Sequence, residues 1–83
     1  MEKFNLITDY VQDHVDRYLI WIVAAPNEAK AVNGLLHQLE SEGADVKQIT
    51  AVYGVSSIEE LDEIVKGGLK PGMVYSTHVM ERV

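Results

Sequence analysis

Asn27, Ser56 and Ser57 are the polar side chains best placed for chemistry in this sequence. Each follows an apolar run and opens a segment with helical spacing: Ala25-Pro26-Asn27-Glu28 after YLIWIVAA, and Gly54-Val55-Ser56-Ser57 after ITAVY. If both runs are strands pointing the same way, the two junctions share one end of a sheet. There, free N–H groups at helix starts would hold a small anion, a nucleotide or a polar metabolite. The plainer reading is that Asn27 and Ser57 only cap their helices, since Asn and Ser are favoured wherever a helix begins. Glu28 and Glu59 suit the positive end of a helix dipole and disfavour a phosphate beside it. Neither junction carries a glycine-rich phosphate loop.

The other reactive side chains form no pattern that specifies a reaction. His14, His37 and His78 lack the short spacings of a metal site, and with no cysteine in the chain a thiolate zinc site, a disulfide and a cysteine nucleophile are all excluded. Ser76 and His78 share a strand face, as any residues two apart do. No nucleophile elbow or orienting acid accompanies them. Asp9, Asp13 and Asp16 fall at helical spacing, and Glu59, Glu60, Asp62 and Glu63 crowd another segment. Neither set has the alternating ligands and central glycine of a calcium loop. The sequence therefore predicts no catalytic residues, no metal and no cofactor.

Composition narrows the partners. The 83 residues are 47% hydrophobic, with a formal net charge of −6 from seven Lys and Arg against thirteen Asp and Glu. Such a chain lacks the cationic surface that neutralises phosphates, so nucleic acid and anionic membranes are poor partners. A basic protein groove is the complementary surface. The start, MEKFNLITDY, does not read as a targeting leader. The run YLIWIVAAP is far short of the ~20 residues of a spanning helix. A cytoplasmic location is the expectation.

These residues need a scaffold. Phe4, Ile7, Val11, His14 and Val15 recur at spacings of three and four, which predicts a first amphipathic helix over 3–16; a short strand over 4–7 is the competing reading, because Phe, Leu, Ile and Thr crowd there. Tyr18 to Ala25 is apolar on both alternating sets, which predicts a central strand covered on both faces. Residues 27–42 read as a helix buried along Ala31, Leu35, Leu36 and Leu39 and stopped by Gly43. Residues 45–54 read as a strand. Residues 57–68 read as a helix opened by a Ser57–Glu60 capping box and buried along Ile58, Leu61, Ile64 and Val65. Pro71-Gly72 signals a turn, and 73–80 reads as a strand with the polar admixture of an edge.

The expected fold is thus one α/β or α+β domain over 1–83: a single sheet of about three partly parallel strands packed by three helices, in the order α-β-α-β-α-β. The last strand is the edge expected to pair with a second copy, with Tyr75, Thr77 and Val79 as interface residues. The expected function is a small non-catalytic acidic interaction or regulatory protein, a homo-oligomer such as a dimer. A small-ligand binding or sequestering protein, with its site at the strand-to-helix junctions or between subunits, is the alternative.

Overall fold

A computed structural model of the chain describes residues 2–55, 57–68 and 74–80; at residue 58 and through 74–80 the description is of the backbone. The elements run β1 (Glu2–Gln12), β2 (Val15–Ala25), α1 (Glu28–Ser41), β3 (Asp45–Val52), α2 (Ile58–Gly68) and β4 (Val74–Met80).

The first helix is overturned: its segment is strand β1, which pairs antiparallel with β2 from Glu2↔Ala25 to Gln12↔Val15. The apparent helical stripe comes from a strand that is apolar on both faces. Leu6 and Tyr10 face one layer, and Ile7 faces the other. Merging two alternating sets mimics a spacing of three and four. Between the strands lie Asp13 and His14, at φ 52° and 63°. A two-residue loop with both central residues left-handed is a type I′ turn, whose twist matches that of the flanking strands.

The strand order is β3-β1-β2-β4. The three-stranded body β2-β1-β3 is antiparallel throughout, which with two helices makes an α+β fold and corrects the expected three-helix, α-β-α-β-α-β arrangement. β4 joins the outer side of β2, running with it from Arg17↔Val74 to Val23↔Met80. The β2 segment was legible as a doubly covered strand: Leu19, Ile20, Trp21, Val23 and Ala25 are all buried.

Coverage comes from one helix on each face. On the first, Ala31, Leu35 and Leu39 of α1 pack on Leu6, Tyr10, Leu19, Trp21 and Val23. On the second, Leu61 and Val65 of α2 pack on Ile7 and Ile20. Ile64 was expected among the buried residues of α2 but is 47% exposed. The connection β2-α1-β3 moves across the sheet one way over one face, and β3-α2-β4 moves back over the other. Reversing both direction and face keeps the hand, so both crossovers share it, as the right-handed rule for such connections demands.

Local chemistry fixes the ends. Ala44 N donates to Leu39 O at 3.0 Å and Gly43 N to Glu40 O at 3.0 Å, the paired bonds of a Schellman stop, with Gly43 at φ 86°. Ala44 then buries itself in the α1 layer. The β1–β3 ladder shifts register between Asp9 and Tyr10, pairing Asp9 with Gln48 but Tyr10 with Val46. This bulge turns Val46 onto the face of Ile49 and Ala51, where strict alternation would have placed it opposite them. At the end of α2, a Cβ on Gly68 would come within 2.9 Å of the Tyr18 hydroxyl, so glycine lets the helix settle on β2.

Among the described residues one polar residue is buried as a whole. Thr8, 0% exposed, accepts a 2.8 Å bond from Trp21 Nε1 and directs its hydroxyl at Leu19 O, 3.5 Å away. Replacing Thr8 by Val should cost about 1–3 kcal/mol in urea unfolding, because the indole loses its Thr8 acceptor, while Thr8→Ser should cost less. His14→Gly should stabilise the fold by about 1 kcal/mol by relieving the left-handed penalty in the turn, read as a raised urea midpoint with unchanged slope.

Candidate functional site

β2 and β3 both run opposite to β1, so their carboxyl ends do lie at one end of the sheet. The chain then leaves in two directions. Asn27 opens α1 on one face, and Ser57 opens α2 on the other. β1 lies between the two strands, which adds a lateral separation of two strand spacings, roughly 10 Å. The sheet thus stands between the two caps.

Both side chains are engaged as caps. Asn27 Oδ1 accepts from Lys30 N at 2.9 Å, with the extended backbone of an N-cap residue. Ser57 Oγ accepts from Glu60 N at 3.2 Å. Ser56 lies outside the described residues, as does the Pro71-Gly72 turn. Tyr75, Thr77 and Val79 occupy β4 opposite Tyr18, Ile20 and Ile22 in the parallel ladder, on the outermost strand of the sheet.

The same end of the sheet holds a feature the sequence did not signal. β1 extends past β3: the β1–β3 ladder begins at Asn5↔Val52, leaving Glu2, Lys3 and Phe4 paired with β2 alone. After Val52 the chain swings away through Tyr53 and Gly54, the latter at φ 72°. The resulting notch is an open pocket of about 260 Å³ lined by Glu2 to Asn5 and Ala51 to Val55. Tyr53 stands 69% exposed at its side. A pocket made by one strand outrunning another depends on register, which composition and spacing do not encode.

The carboxylates are arranged differently from the helical stripe expected of them. Asp13 is in the hairpin turn. Asp9 and Asp16 belong to neighbouring strands and share the α2 face with Tyr18, and Asp16 Oδ1 meets Lys47 Nζ at 3.3 Å. Helix α2, with Glu59, Glu60, Asp62 and Glu63, lies over that same face. The two acidic stretches, remote in sequence, therefore fall on one side of the sheet. The Asp16–Lys47 pair is half exposed and worth little by itself.

Among the described residues two buried polar atoms have no hydrogen-bond partner: Asp9 Oδ1 and Arg17 Nε. They do not answer each other, because Asp9 pairs with Tyr18 and Arg17 with Tyr10, placing them on opposite faces. Burial pushes the Tyr10 hydroxyl pKa up, opposed by the charge of Arg17 and reinforced by Glu42. His37 is exposed on α1, and His14 is in the turn. Among the described residues no group of three His, Asp or Glu side chains converges as a metal site. No described helix is long and apolar enough to cross a membrane.

No family model, no curated protein and no solved structure matches the chain.

If Asn27 and Ser57 serve as caps, Asn27→Ala and Ser57→Ala should each lower stability by about 1 kcal/mol. Their effects should add in the double variant, since they lie on opposite faces and share no partner. Coupling above about 0.5 kcal/mol in chemical denaturation would instead reveal a shared site.

Proposed function

We propose that this chain is a small non-catalytic interaction protein whose working surface is an open sheet edge, flanked by the acidic α2 side. The observation that carries the reading is the contrast between the two edges. The β3 edge holds a bulge with Asp45 and Lys47, the usual devices that discourage strand pairing. The β4 edge has no Asp, Glu, Lys, Arg or Pro in VYSTHVM. The carboxylates gathered on the α2 side suit a basic protein surface, where charge complementarity speeds encounter and excludes wrong partners. A cytoplasmic setting and indifference to nucleic acid belong to the same reading.

A second reading is a small-ligand binder. The notch between β1 and β3 favours it, with Phe4 and Tyr53 beside Lys3 and Asn5. At about 260 Å³ it falls just below the ~300 Å³ at which ligand pockets usually begin.

Native mass spectrometry of the purified full chain separates the two. The interaction reading expects assemblies of more than one chain, or a salt-sensitive complex with an added lysine-rich polypeptide that weakens when Glu59 and Glu63 are both changed to Lys. A strict monomer that ignores the polycation and carries a stoichiometric small molecule would establish the second reading in its place.

A further inference from the structure

We infer that the β4 edge is an interface for a second copy of this chain, joined antiparallel about a two-fold axis at Thr77 into one continuous eight-stranded sheet. This rests on the edge-interaction reading and names its partner. Of the six elements β4 alone carries no Asp, Glu, Lys or Arg, in a chain of net charge −6. At the β3 edge a copy would meet the bulge and the charged Asp45 and Lys47. At β4 the outer backbone donors and acceptors can pair with no charge in the seam, and an antiparallel edge is its own complement.

Symmetry then fixes the geometry. An antiparallel pair within one sheet has its two-fold axis perpendicular to that sheet, so the same face of both copies points the same way. Centring the axis on Thr77 pairs all seven residues of β4. Thr77 meets its own copy, and Tyr75 stands opposite Val79 of the second chain. Helix α2 contacts β2, one strand in from the edge. The two α2 helices therefore lie about 14 Å apart across the axis, three strand spacings. That is close enough for their carboxylates to repel at low salt. The contact is modest. Seven residues of strand span about 24 Å, against a molecule 16 Å thick, giving roughly 800 Å² over both copies. That is below a standard stable interface, which makes the dimer a weak, concentration-dependent one.

The natural chain has no cysteine, which makes disulfide trapping clean. Under mild oxidation Thr77→Cys should cross-link to itself, because facing Cα atoms in an antiparallel pair fall within the span of a disulfide. Tyr75→Cys alone should form no cross-link, but a mixture of Tyr75→Cys and Val79→Cys should form the mixed cross-linked dimer. In light scattering the unmodified chain should approach twice 9.3 kDa as concentration rises. Its affinity should strengthen several-fold between about 0.05 and 0.5 M salt. Thr77→Asp should weaken it at least tenfold, with Trp21 fluorescence reporting whether the variant folds. If Thr77→Asp does not fold, the cysteine pattern still decides. A chain that stays monomeric and yields no Thr77→Cys cross-link overturns the inference, and so does self-association with no cross-link. Binding of the lysine-rich polypeptide by such a monomer would leave the broader interaction reading standing.

Discussion

Strand β2 sets the constraint that organises everything else. From Tyr18 to Ala25 its sequence offers no polar face, so a stable fold must place apolar layers on both sides of it and a neighbouring strand along each edge. The chain meets this with the shortest connection available on one side, a two-residue turn into β1, and the longest on the other, through both helices to β4. Inside the first layer, the indole of Trp21 introduces a buried polar demand, and Thr8 on β1 answers it at 2.8 Å. That bond ties the hairpin register to side-chain identity: a slip by one residue would turn Thr8 to the other face and leave the donor without this acceptor.

Much of this was legible in the residues. Continuous apolarity from Tyr18 to Ala25 identified the central strand. The Asn27 cap, the Leu35 and Leu39 stripe and Gly43 located α1, and the structure adds only that Gly43 works through a Schellman stop. The failure was at β1. A strand buried on both faces carries no period of two in hydrophobicity, so the residues that remained lined up at helical intervals by coincidence. The turn gave no warning either, because Asp13-His14 lacks the glycine that usually marks two left-handed positions. Adding a strand and removing a helix narrowed the class from α/β or α+β to α+β, raised the strand count and made the β2-β1-β3 body antiparallel.

The candidate site was legible in kind and not in place. Asn27 and Ser57 were found because capping residues are local signals, and local signals cannot say on which side of a sheet a helix departs. The alternation of faces between the two crossovers separates them, and the intervening β1 adds to it. The notch at Glu2 to Asn5 and the placing of Asp9 and Asp16 on the same side of the sheet as α2 depend on register between strands and on which face a helix covers. Spacing along one chain carries no record of that.

The parallel pairing of β2 with β4 also imposes an order in time. When β2 leaves a ribosome it can turn back on β1 at once, within microseconds. Its other edge must wait for the ~50 residues that separate Ala25 from Val74, which at 5–20 residues per second takes several seconds. During that interval the most apolar strand of the protein has one naked side. Newborn chains on neighbouring ribosomes would present the same edge to one another, so the burden this topology creates falls on synthesis, long before the finished molecule meets any partner.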